Sequence, residues 1–372
     1  MLLSPEMKLG QVADRPIVIR ADDIFLFVIF LGWLAKLAVF KDLRLLRHTP
    51  LNGPIFGYIF VCFLSTAIRL IEGRGNFIQS SFYFLKYVEY FIVYFLVVNN
   101  IENMRQVKVF VFLMIVTCVL VSIYGLYVYF SEGIRATAPF EGPGGEPNTL
   151  AGYLILMISL MLGLLLYSDS LRLKIGLWTI LPFSFIAFLF TLSRGGWVGF
   201  LFMYLTFIVL ARKSRAILTF GLIVAMVLLP LLAPTKVKER FSTTFVGDKT
   251  YTVLGKSVAL TESGVARVEA WKTGFKKLLE KPIFGHGIPG GSVIDNQFTR
   301  TMTELGVVGL FVFFFLLRRI YQVIRNAIDR IGENPFAQGL AIGFLAGFLG
   351  LVVLGLSAAD FIIIRIMEPF WF

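Results

Sequence analysis

Three observations predict an all-α, polytopic membrane fold of about ten to twelve spans. Hydrophobic residues make up 57% of the 372 positions, and phenylalanine alone accounts for 39 of them. The apolar runs recur along most of the chain at about 17–25 residues, the length a helix needs to cross roughly 30 Å of hydrocarbon. Within those runs polar and apolar residues do not alternate, as they would in the shorter strands of a transmembrane barrel.

In chain order the expected spans are 22–40, 51–71, 81–98, 107–130, 148–167, 175–191, 196–210, 216–233, 305–320 and 337–357. Among the short connections, one alternate set is basic: Lys41, Arg44 and Arg47, then Arg105 and Lys108, Arg172 and Lys174, Arg212, Lys213 and Arg215, and finally Arg318, Arg319, Arg325 and Arg330. The intervening loops are poorer, with Arg74, Arg135 and Arg194 set among Glu72, Glu132, Glu141 and Glu146. The positive-inside rule therefore assigns the first set to the cytoplasm and the second to the outer side. The whole chain, 1–372, reads as one integral membrane domain, and 234–304 as a long extracytoplasmic loop within it, too poor in apolar clusters for a core of its own. Residues 1–20 also fall outside and hold Glu6, Lys8, Asp14, Arg15 and Arg20, with no signal-type apolar stretch. An outward start of this kind predicts a further helix upstream, and Glu368–Phe372 reads as the opening of another span.

Inside the long loop, Val265, Val268, Trp271, Phe275, Leu278 and Leu279 recur with helical period. Ser263 is placed to cap that helix and Pro282 to end it, giving an amphipathic segment suited to the membrane interface. The net charge of +12 does not indicate nucleic acid, because Lys and Arg are dispersed as topology signals in short loops. Cys62 and Cys118 lie in apolar runs and read as buried thiols. Two histidines are too few for a His/Cys zinc site, and no cofactor is expected.

The residues that could carry chemistry cluster on the outer side. Arg194 sits in Ser193-Arg194-Gly195-Gly196, between two apolar runs. It reads either as a snorkelling anchor or as a clamp on phosphate, for which a guanidinium offers two charge-assisted hydrogen bonds. The glycines would bring the backbone close to a ligand, and the amides opening the next helix would favour an anion. Arg267 lies at the border of the apolar face of the amphipathic helix, so it calls for a partner: a phosphate, or a carboxylate such as Glu262 or Asp295. Asp295 reads as a helix N-cap or as a general base, and His286, in a Gly-rich turn, is a rival base. Arg300 and Glu304 are spaced for an i,i+4 pair, and Lys86 and Glu89 for mutual neutralisation within a span. Arg69 stands near a span end. Arg135 leads into a Gly/Pro-rich stretch in which Asn148 is a candidate cap.

Taken in order, these stretches resemble the O-antigen ligase/polymerase superfamily of bacterial surface-polysaccharide enzymes. The matching pieces are Arg135 through Pro147-Asn148-Thr149-Leu150-Ala151-Gly152-Tyr153, then Ser193-Arg194-Gly195-Gly196-Trp197. Next come Ala266-Arg267-Val268-Glu269-Ala270-Trp271, Lys281–Gly287, and Asp295-Asn296-Gln297-Phe298 continuing into Glu304–Gly309. The resemblance implies an enzyme of the bacterial inner membrane working on the outer, periplasmic face. It would take a glycan from an undecaprenyl-pyrophosphate donor and pass it to a glycan acceptor, with a chain-length regulator among the implied partners. It further implies that Arg194 and Arg267, with Arg135 and Arg300 in support, bind pyrophosphate, and that transfer is inverting and metal-independent. Ligases of this superfamily usually carry His-Asn where this chain has Asp295-Asn296. An Asp there points toward a polymerase of lipid-linked repeats, with Asp295 activating the acceptor hydroxyl and Asn296 orienting it. The alternatives are a ligase that delivers finished glycan to lipid A core or protein, and a solute transporter. A carrier should place charged, broken helices at the midplane, whereas the charged residues here gather at one face.

Overall fold

The computed structural model describes residues 6–12, 15–40, 47–140, 145–211, 214–232, 234–242, 249–253, 256–260, 262–290 and 295–372. Each apolar run forms a helix: α1 Ala21–Phe40, α2 Asn52–Ile71, α3 Phe77–Asn100, α4 Met104–Glu132, α5 Pro147–Tyr167, α6 Leu171–Phe190, α7 Arg194–Leu210 and α8 Arg215–Leu232. After the outer segment, with α9 Thr235–Ser242 and α10 Glu262–Glu280, come α11 Gln297–Arg330, α12 Pro335–Leu354 and α13 Ile364–Trp371. Two short antiparallel hairpins complete the described residues, β1 Glu6–Val12 with β2 Arg15–Arg20 and β3 Lys249–Val253 with β4 Lys256–Leu260. The fold is all-helical in its membrane part.

Among the described residues seven helices, α2 to α6 with α11 and α12, are long and apolar enough to cross a membrane. This is fewer than the expected ten to twelve. The shorter apolar helices are α7, which runs 17 residues between Ser193 and Ala211, and the stretch Arg215–Leu228 of α8. The most buried span is α5, which packs against α6, α7 and α12. Where α5 and α12 meet, the backbone at Gly163 lies directly on Gly339 and Gly343, the close contact that small residues give helices in lipid. Cys62 and Cys118 are free and buried, as expected.

One helix departs from its expected start. α11 begins at Gln297, eight residues before the expected span, because its first turns lie outside the apolar run and are joined to it through a break at Gly306 (φ 68°, ψ −163°). A positive φ is strained for a residue with a side chain, and a Cβ at Gly306 would collide with the carbonyl of Ile283. The cap of α11 is Asn296, not Asp295: its side chain accepts from the Thr299 amide at 3.0 Å. Likewise α10 begins at Glu262, so Ser263 lies in its first turn instead of capping it, while the helix ends just before Pro282 as expected.

Candidate active site

Four connections are stitched together at the end of the bundle opposite the basic loops. Arg135 Nε donates to Thr191 O at 2.8 Å and the Ala136 amide to Phe190 O at 3.0 Å, fixing the α4–α5 connection to the α6–α7 turn. Ser193 Oγ donates to Asn148 Oδ1 at 2.7 Å. Asn148 is thus a tie between loops, and the α5 N-cap falls at Glu146. The segment after α12 forms the floor. The Gln297 amide donates to Gly355 O at 2.9 Å, the Phe361 amide to Gln297 Oε1 at 3.1 Å, and Asn296 Nδ2 to Leu356 O. Arg365, almost wholly buried, donates to Pro139 O and, at 2.9 Å, to Phe140 O.

On this floor the arginines converge. Arg194 is the first residue of α7, with Ser193 as its cap accepting from the Gly196 amide at 3.1 Å. The two glycines that follow serve packing: a Cβ at Gly195 would strike Ser357, and one at Gly196 would lie 2.9 Å from Ala151 Cβ. The expectation that they approach a ligand gives way to close contact with α5 and the segment after α12. Arg240, on α9, is the cation nearest in effect to the other three: it acts electrostatically on Arg135, Arg194 and Arg267 alike. Arg194 in turn acts on Arg135, and Arg267 on Arg194. All four are half-buried. Burial, then the Arg240 and Arg194 guanidiniums, pull Arg135 down to about 10. Burial and Arg240 also hold Arg267 below the usual arginine range, against the opposing pull of Asp295. Asp295 is therefore a carboxylate beside Arg267, and it is exposed where its neighbour Asn296 is buried.

Three expected site residues stand elsewhere. The Asn296 side chain is tied down, its Oδ1 accepting from the Thr299 amide and hydroxyl and its Nδ2 donating to Leu356 O; it positions the segment that carries Asp295. Arg300 is paired with Glu304, Nε to Oε1 at 3.1 Å, as the i,i+4 spacing predicts. His286 faces away from the arginines: its Nε2 lies 3.0 Å from Lys277 O and 3.6 Å from a Glu280 carboxylate oxygen. Lys86 and Glu89 do pair, at 2.9 Å, and Asp23 joins them. Of the partners expected for Arg267, Asp295 is found; the Glu262 side chain and residues 141–144 lie outside the described residues.

Arg240 is the functional candidate the sequence reading missed. α9 is held to the end of α4 by Lys236, whose Nζ donates to Gly133 O at 3.3 Å and lies 5.2 Å from the Tyr129 ring centre. Val237 is buried, and Arg240 follows it by three residues on the same helical face. That pairing was the available signal.

Seven described helices long and apolar enough to cross a membrane, with a half-buried arginine group at one end of them, describe a multi-pass membrane protein. Residues 179–314 match the family model described as O-antigen ligase. That similarity covers about a third of a multi-pass membrane protein. The match includes Arg194, Arg240, Arg267 and Asp295, and leaves Arg135 outside. No curated protein matches the chain.

Proposed function

We propose that the protein is a glycosyltransferase that polymerises undecaprenyl-pyrophosphate-linked oligosaccharide repeats on the outer face of the bacterial inner membrane. The observation that carries the reading is the convergence of Arg135, Arg194, Arg240 and Arg267 beside the exposed carboxylate of Asp295. Four guanidiniums held near one another repel, and a pyrophosphate of two or more negative charges relieves that repulsion. In the reaction Asp295 takes the proton from the acceptor hydroxyl as its oxygen bonds to the anomeric carbon of the donor. The bond from that carbon to pyrophosphate breaks on the opposite side, which inverts the centre. The electron pair leaves with the pyrophosphate oxygen, where the arginines meet the developing charge without calling on a metal ion.

Transfer from an undecaprenyl-pyrophosphate oligosaccharide in reconstituted membranes tests this. Asp295→Asn is expected to lose about 10²–10⁴-fold in rate, as removal of a general base does. Arg194→Ala and Arg240→Ala are each expected to lose about 10²–10³-fold, as removal of a preorganised donor does, and His286→Ala should retain transfer. Product growing in repeat-unit steps marks a polymerase. The matched family's description favours a second reading, a ligase, and transfer of one finished block only when lipid A core or a protein acceptor is supplied would establish it. Absence of transfer to any acceptor, with cellular polysaccharide unchanged by Asp295→Asn, would leave the solute-carrier reading in its place.

A further inference from the structure

The outer face carries a second concentration of cations that the transfer centre does not use. α10 crosses the first turns of α11 at Gly274, where a side chain would run into Thr299 and come within 3.4 Å of Met302. On one side of this crossing Arg267 joins the arginine group. On the other, Lys277 and Lys281 turn toward the end of α2. Lys277 Nζ donates to Gly290 O at 3.1 Å, Lys281 bonds to Glu72, and Arg69 Nη1 donates to His286 O at 3.2 Å. Arg69 and Lys277 are close enough to repel, and Arg74 stands 3.5 Å from Glu72. Four cations (Arg69, Arg74, Lys277 and Lys281) thus gather around Glu72 and Glu280, with Glu304, itself paired with Arg300, also acting on Lys277. Burial, partly countered by Glu280, pulls the Lys277 ammonium below the usual lysine range, and Arg69 adds to the pull. The patch lies at the end of α2, a helix long and apolar enough to cross a membrane, and basic side chains next to a span end attract lipid phosphates.

We infer that this patch is a second anion site, which holds the phosphate head of the acceptor lipid while the arginine group holds that of the donor. The inference rests on the transferase reading above. Arg267 and Lys277 are ten residues apart on one helix, about 15 Å at the rise of an α-helix. That distance is comparable with a short extended oligosaccharide. A lipid-linked repeat anchored by its phosphate at Lys277 would bring its far sugar, and the hydroxyl to be glycosylated, to Asp295. A bilayer phospholipid headgroup offers the same phosphate chemistry, so the test must separate the two.

The experiment counts undecaprenyl pyrophosphate molecules bound to the full chain in detergent by native mass spectrometry. Two per chain are expected, falling to one in Lys277→Gln/Lys281→Gln and remaining two in Lys277→Arg, which keeps the charge. An excess of phosphatidylglycerol should leave both bound. A single lipid on the unaltered protein, two retained in the glutamine variant, or displacement of the second by phosphatidylglycerol would each overturn the acceptor site; the last would make it an ordinary headgroup patch. Arg194→Ala/Arg267→Ala should lose the other lipid. If that variant still binds two while the glutamine variant binds one, the transfer-centre reading fails and the second site stands.

Discussion

The charge of Arg135 depends on its burial and on its neighbours. Its guanidinium is held to about 10 by burial and by Arg240 and Arg194, so it is fully charged at neutral pH. A bound pyrophosphate favours the charged form and raises that value. By linkage, donor affinity should be complete below pH 10 and should fall as pH rises through 10, where the free site loses a charge that the occupied site keeps. Undecaprenyl pyrophosphate binding measured from pH 8 to 11 should show this decline, and Arg135→Gln should remove it while weakening binding throughout. Affinity that is flat to pH 11 in the unaltered protein would mean Arg135 faces no phosphate. Arg194 and Arg267 were legible in the sequence because each sits where a charge meets an apolar surface. Arg240 was not, because its place beside them is created only when Lys236 pins α9 onto the end of α4.

At the scale of the element, α11 links the site to the membrane. Its first turns hold Asp295 through the Asn296 cap, and its main length begins only after Gly306. Glu304, 3% exposed, secures this joint. Its carboxylate accepts from Tyr87 Oη at 2.6 Å and Arg300 Nε at 3.1 Å, and its backbone oxygen from Ser65 Oγ at 2.7 Å and the Gly287 amide at 2.9 Å. α2, α3, α11 and the segment after α10 all meet there. Removing the carboxylate leaves Arg300 unpaired in a buried place, so Glu304→Ala should destabilise by about 3–5 kcal/mol. Tyr87→Phe removes one hydrogen bond to a charged group and should cost about 1.5–3 kcal/mol. Unfolding of the detergent-solubilised variants measures both, and equal stability in all three proteins would show that the joint is held by packing alone. The four-residue spacing of Arg300 and Glu304 was readable in advance. The third member, Tyr87, lies 217 positions away in sequence from Glu304 and no local pattern could bring it in. The early start of α11 was hidden for a related reason: Thr299, Thr301 and Thr303 are buried against neighbouring elements and carry no apolar signal.

For the whole molecule, the runs of apolar residues and the two kinds of loop already defined the bundle and its polarity. The contacts between loops, which build the site, depend on the three-dimensional return of the segment after α12 to the start of α11. Both transferase readings require that this end face outward, because a polyprenyl-linked donor used on the outer leaflet cannot be reached from the cytoplasm. The positive-inside rule predicts that orientation, and cysteine labelling measures it directly. Cys62 and Cys118 are buried, so the background reaction with a membrane-impermeant maleimide should be small. Glu239, exposed on α9, and Glu333, exposed between α11 and α12, mark the two ends. In spheroplasts Glu239→Cys should react at once, and Glu333→Cys only after the membrane is permeabilised. The reverse pattern would put the arginine group in the cytoplasm, where a soluble nucleotide-linked sugar would become the natural donor. Labelling of both from outside would mean that α11, the long apolar helix between the two positions, fails to cross.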